Sequence, residues 1–338
     1  MKIERDAAEV TGGVRHGRTL GGPIALQIAN RDFANWRERM SPWPVEEDID
    51  EVHLPRPGHA DLVGTQKYKQ TDVRNILERA SARETAARVA GGGLCKAFLR
   101  ALGVSVHSHV VQIASVRAPE AEAPLTPADF AGVDDSPVRC LDEQASVAMV
   151  AEIDELRKAN ESLGGVFEVQ AFGLVPGLGS HVSWEERLDG RLAMAICSIQ
   201  AVKGMTVGDG FALAGIPGSR AHDEIFFSQE RGIYRETNRA GGLEGGMTNG
   251  CPLIVRGAMK PLPTLTKPLR SIDIETHEPA EALRERTDSC TVPAAGVVGE
   301  AMVALVLADA YRRKFGGDHL DDVRVSQAAY EERIGWRR

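Results

Sequence analysis

The sequence predicts an α+β fold in which helices pack on antiparallel sheets. Strand and helix patterns mix along the chain without the regular β-α-β alternation of a parallel sheet. The strand candidates are short, valine-rich or period-two runs bounded by glycine and proline. The most apolar stretch, residues 297–307, carries Glu300 and is too short to span a bilayer, so it reads as a buried helix.

In chain order, residues 8–30 are glycine-rich around short β-favouring runs and predict a hairpin or meander. Residues 31–63 carry turn signals, including Pro42, Pro44, Pro55 and Pro57, and read as a long functional loop or a disordered one. Residues 71–101 predict one helix, started by Thr71/Asp72, with a stripe through Ala87, Ala90, Leu94 and Phe98. Residues 104–115 alternate and predict a strand. Residues 117–138 hold four prolines and several acids, a loop or insertion within a single domain over 1–338. An amphipathic helix follows at 143–160, with Met149, Ile153 and Leu156 on one side. Strands are expected at 166–174 and 191–199. The segment 239–250 is glycine-dense, as a loop approaching a ligand requires, and 260–268 is stiffened by proline. A final long helix is expected from Ala295 to Phe315, ended by Gly316 and Gly317.

Composition bounds the function. The 338 residues are 43% hydrophobic and 26% charged, the balance of a globular chain. A net charge of -8 leaves no global footprint for nucleic acid, and 4 Trp, 4 Tyr and 9 Phe give few rings for base stacking. Any anion site must therefore be a local concentration of arginine. The five cysteines, Cys95, Cys140, Cys197, Cys251 and Cys290, are widely spaced with no CxxC pair, so reduced thiols are expected rather than disulfides or structural zinc. The MKIERD start has no apolar core, and no signal peptide is expected.

Three motifs carry chemistry. In ERASARETAARV, Arg79 and Arg83 are four apart, on one face of a helix, with Ala80, Ser81 and Ala82 too small to cover them. A solvated face is one reading; a fork for carboxylate or phosphate is the other. In RPGHAD, the Pro57-Gly58 turn projects His59 after Arg56, and Asp61 is close enough to orient it for acid–base or anion-stabilising work. In RTDSC, Asp288 beside Arg286 is either an ion pair or helix cap, or a catalytic carboxylate with a cationic anchor. Cys290 reads as a packed small hydrophobe. His107/His109 and His53/His59 lack a third ligand nearby, so no metal is expected. There is no Walker A loop, and the glycines at 241–246 lack the context of a dinucleotide fingerprint. His16 in GVRHGRT reads as a hairpin tip.

Taken together, RPGHADLVGTQKY, ERASARETAARVA, SIQAVKGM, RAGGLEGGMTNG, KPLPTLTKP and RTDSCTVPAAGVVGEAM resemble the chorismate synthase family, in family order and across most of the chain. The resemblance implies a β-α-β sandwich assembled as a homotetramer, cytoplasmic and acting in the shikimate pathway of aromatic amino acid biosynthesis. It implies a lyase that removes phosphate from 5-enolpyruvylshikimate-3-phosphate in an anti-1,4-elimination giving chorismate. That reaction needs reduced FMN although it is redox-neutral overall, and NADPH is one reductant the family uses. No nucleic acid and no membrane partner are implied. By the same resemblance, Arg79, Ala80, Ser81, Gln200, Ala201, Gly245, Lys260, Pro261, Leu262, Pro263, Thr264 and Arg286 would contact FMN, and Arg56 and Arg83 would hold the anionic substrate. His59 would stabilise charge on the reduced isoalloxazine, and Asp288 would help the flavin N5 take the C6 proton.

The family pattern also has a GESHG strand, a helix and an arginine-rich loop ahead of the position matched by Met1. These have no counterpart here, nor has the first catalytic histidine or the arginines that contact NADPH. The expectation is a late recorded start or a truncated copy. The alternative function is a catalytically impaired FMN- and anion-binding remnant.

Overall fold

The computed structural model describes residues 6–46, 49–285 and 287–337. The chain folds as two compact units. The first comprises Met1–Ala90 and Pro263–Thr287, the second Gly91–Leu262 and Asp288–Arg338.

In the first unit β1 (Ala8–Gly12) pairs antiparallel with β4 (Ala25–Ile28). Between them β2 (Val14–Arg15) and β3 (Arg18–Thr19) form a hairpin. Its tip is His16-Gly17, both at positive φ, as a two-residue hairpin turn demands. The single turn α1 (Phe33–Trp36) interrupts an otherwise irregular stretch. Then come α2 (Asp61–Tyr68) and α3 (Arg74–Ala80). Gly64 lets these two approach, since a Cβ there would stand 2.3 Å from Ile76 Cγ2.

The expected single helix over 71–101 is two helices. Asp72 starts it, Oδ1 accepting from Arg74 N at 2.8 Å. The helix breaks at Ser81, whose ψ is 137° and whose Oγ accepts from Arg83 N at 3.2 Å. A serine that caps the following turn offers the backbone an alternative to helix, and local capping wins over periodicity. After one 3-10 turn, α4 (Thr85–Ala101) carries the chain into the second unit.

There β5 (Ser105–Ile113), β6 (Val116–Arg117), β7 (Gly165–Phe172), β8 (Val202–Val207) and the later β13 (Leu253–Met259) build a five-stranded antiparallel sheet, order β6-β5-β7-β13-β8. Helix α5 (Glu143–Lys158) is capped by Asp142, which accepts from Ala145 N at 2.7 Å. Residues 188–197 form helix α6 (Leu188–Cys197), where the sequence pattern suggested a strand. Leu188, Leu192, Ala195 and Ile196 are its buried set, a helical spacing hidden in a run that is apolar on nearly every side. Smaller elements follow: α7 (Gly218–Ala221), the hairpin β9 (Phe226–Ser228)/β10 (Gly232–Tyr234), and the turn β11 (Leu243–Glu244)/β12 (Met247–Thr248). Strand β13 (Leu253–Met259) then enters the sheet. The chain returns to the first unit for the hairpin β14 (Arg270–Ile272)/β15 (Pro279–Glu281).

The second unit closes with α8 (Val292–Phe315), ended by Gly316 at φ 64°, and α9 (Leu320–Ile334), an amphipathic helix the sequence reading did not anticipate. Helix α8 is long and apolar enough to cross a membrane, but most of that stretch is buried within the unit, as in a core helix. It lies on the sheet through small residues. Phe167, fully buried, fills the space left by Gly257 and Gly299, where added Cβ atoms would come within 2.3 and 2.7 Å of its ring. Glu300 is tolerated at this depth because Ser108 Oγ (2.6 Å), Arg139 Nη2 (3.0 Å) and Lys96 Nζ all donate to it. The opposite face of the sheet is polar. It carries His107, His109, Glu168 and Arg256, and Phe130 from the 117–138 segment stacks on His107 at 5.1 Å.

Candidate active site

In the first unit, RPGHAD forms a closed cluster around one carboxylate. Asp61 opens α2 and is fully buried. It accepts from the Arg56 backbone N at 3.0 Å, from Arg56 Nε at 2.9 Å and Nη2 at 3.2 Å, and from His59 Nδ1 at 2.5 Å. Arg56 Nη1 donates to Thr264 Oγ1 at 2.8 Å. Burial raises the Asp61 pKa, but donation by His59 and Arg56 outweighs it and holds the carboxyl well below its usual range. The loop is held from behind. Leu283 N bonds Leu54 O, Ser271 Oγ bonds Pro55 O at 2.6 Å, and Val52 is fixed to Val73 and Asp72.

The Arg79/Arg83 pair is not on one helix face. The break at Ser81 separates them: Arg79 ends α3, and Arg83 lies in the 3-10 turn. Arg83 spends its fork on Asp6, both Nη atoms at 2.8 Å. Arg79 is exposed and lines a groove of about 790 Å³ between α2 and α3, with Ala60, Gly64, Lys67, Tyr68 and Ala80. Lys67 and Arg79 give this groove two cations that could face an anionic ligand. Pro263 and Thr264 also belong to this unit, while Arg286 lies outside the described residues.

In the second unit five of the expected residues, and the backbone that follows Asp288, lie at one end of the sheet. Ala201 turns the chain at φ 64° just after Gln200, and its carbonyl accepts from Lys260 N at 2.9 Å. Ser162 Oγ donates to Leu262 O at 2.6 Å, and a Cβ at Gly164 would stand 2.9 Å from Pro261 N. Leu163 N donates to Ser289 O at 2.7 Å, which sets Asp288 and Cys290 beside the same edge. Burial pushes the Cys290 thiol up, as for a packed hydrophobe.

Gly245 is not there. It turns β11 into β12 at φ 60°, next to Gly246, whose carbonyl accepts from Leu188 N at the start of α6. Gln200 follows the other end of that helix, and ten helical residues rise roughly 15 Å.

Sequence reasoning underrated Asp61 and missed Lys67 and Asp6. The first had a signal, an aspartate two residues after the histidine. The other two are brought in by folding alone.

The chorismate synthase family model matches residues 1–311. A chorismate synthase of Acidothermus cellulolyticus is 58% identical over 98% of this chain and 86% of its own length. One of Thermobifida fusca is 57% identical over 94% of this chain and 83% of its own. A crystal structure of a chorismate synthase superposes with a TM-score of 0.79 at 42% identity, covering 97% of this chain and 85% of that one.

Proposed function

The chain belongs to the chorismate synthase family, and from that premise we propose that it removes phosphate from 5-enolpyruvylshikimate-3-phosphate, giving chorismate, with reduced FMN as cofactor. The observation that supports this reading most is the buried carboxylate of Asp61, which fixes Arg56 and His59 together. In the reaction a proton leaves C6 and phosphate leaves C3, with no net redox change. Reduced FMN, when bound, would supply electron density that eases departure of the phosphate and a base for the C6 proton. His59 sets an imidazole where negative charge collects. Asp288 helps conduct the C6 proton. Arg83 receives a substrate anion in exchange for Asp6, and Arg56, its fork turned to Asp61, offers its remaining Nη hydrogens.

On the family pattern, Arg79, Ala80, Ser81, Gln200, Ala201, Gly245, Lys260, Pro261, Leu262, Pro263, Thr264 and Arg286 are the proposed cofactor contacts. A homotetramer is proposed on the family pattern alone. NADPH is proposed as one source of reduction, and the cytoplasm as the compartment.

The test is anaerobic turnover with chemically reduced FMN, followed by chorismate absorbance. Chorismate at a catalytic rate upholds the reading. FMN binding without turnover favours the impaired remnant, and neither overturns both.

A further inference from the structure

We propose that Asp61 is a positioning residue that fixes His59 as the Nδ1–H tautomer and cancels the charge of Arg56, so that Nε2 is the atom His59 offers to the reacting molecule. The proposal deepens the role given to His59 above and rests on it. It begins from donor and acceptor counting. An ionised carboxylate only accepts, so a nitrogen 2.5 Å from Asp61 Oδ1 must carry the hydrogen. Asp61 is ionised because it takes three further hydrogens from Arg56 at a site with no exposure. Arg56 Nη2 stands 3.1 Å from the same Nδ1 and 3.5 Å from Nε2; two donors cannot bond each other, so one Nη2 hydrogen goes to Asp61 Oδ1, and the other faces Nε2 at a distance too long to hold that nitrogen. The second nitrogen, Nε2, therefore carries a lone pair when the ring is neutral and a hydrogen when it is charged. Among the described residues, the charged groups in contact with His59 are Arg56 and Asp61.

The same counting revises what Arg56 can do. Its Nε and Nη2 form a two-pronged bond to Asp61, and Nη1 is tied to Thr264. Guanidinium and carboxylate sum to no charge, so Arg56 adds direction rather than net cation to the site. Asp61 could instead serve only to start α2, as an acid at a helix N-terminus does. The two roles differ in what they predict for the imidazole.

The experiment uses the full chain with nitrogen-15 histidine and a long-range proton–nitrogen correlation near about pH 8, where a neutral ring reports its tautomer. The expected result is Nδ1–H for His59, assigned by its absence from His59→Asn. An Nε2–H ring, or a mixture of both forms, would overturn the proposal. This readout needs neither turnover nor cofactor, so it stands if the proposed reaction fails. In the turnover assay, Asp61→Ala is expected to lower kcat about 100-fold with KM for the substrate within about threefold. Added formate is expected to restore at least roughly tenfold of the lost rate, by replacing the missing carboxylate. A folded Asp61→Ala chain with unchanged kcat, or with kcat and KM moving together and no response to formate, would sink the positioning role. Should that variant not fold, the wild-type tautomer decides alone.

Discussion

Asp61 and Glu168 are both buried carboxylates set between an arginine and a histidine, yet they serve opposite ends. The partners of Asp61 lie two and five residues away in one loop. Those of Glu168 lie 59 and 88 residues away, directly across from it on neighbouring strands: His109 on β5 at 3.1 Å and Arg256 on β13 at 2.6 Å. In the first cluster the arginine is buried at 8% side-chain exposure and the histidine reaches outward at 17%. In the second the histidine is covered by Phe130, and the arginine reaches out to Glu120. One arrangement presents an imidazole, and the other ties three strands together. The same ion chemistry becomes a site or a brace according to which member faces outward.

The comparison can be broken from the brace side first. Glu168→Ala takes the shared acceptor from His109 and leaves Arg256 only the exposed Glu120, and the expected loss is about 3 kcal/mol by urea unfolding. Phe130→Ala, which strips the ring from His107 and His109, is expected to cost about 3 kcal/mol. A loss below about 1 kcal/mol for both would mean the polar face is not structural.

The two histidines sharpen the contrast. His59→Asn is expected to lower kcat about 100-fold, with about 1–2 kcal/mol of stability lost because buried Asp61 loses a donor. His109→Asn is expected to cost about 1–3 kcal/mol of stability and leave kcat per folded molecule alone. Matching effects in both would erase the distinction.

Acid gives a smaller, graded effect. Burial raises the Glu168 pKa, but His109, Arg256 and Gln170 bring it down from 4.5 to about 2. A depressed value means stability complete above the unfolded pKa and lost as pH falls through the folded one. The brace should therefore weaken between pH 4.5 and about 2, and Glu168→Gln should flatten that limb of the stability curve. Least of all, Asp6→Asn removes the ion pair between Asp6 and Arg83. The pair is partly exposed, so the stability change should stay under about 1 kcal/mol, with sulfate binding up roughly threefold.

The sequence by itself determined much of this protein. Turn residues and period-two runs placed β5, β7 and the hairpin tip at His16, because these signals are local. The apolar run with Glu300 marked α8 as core, and RPGHAD, SARET and RTDSC marked the family. Where packing or a side-chain bond decides, the sequence was silent or misleading. The all-apolar run at 191–199 fits strand and helix alike, and burial against α8 selects the helix. Ser81 splits a periodic pattern because its own oxygen satisfies the next amide. That Gly245 stands a helix length from Gln200, and that Asp6 reaches Arg83, are facts of three dimensions. Sequence spacing sets what a segment can form. Only the closed chain brings groups 59 or 88 residues apart within a hydrogen bond's reach, and there a buried charge becomes a brace.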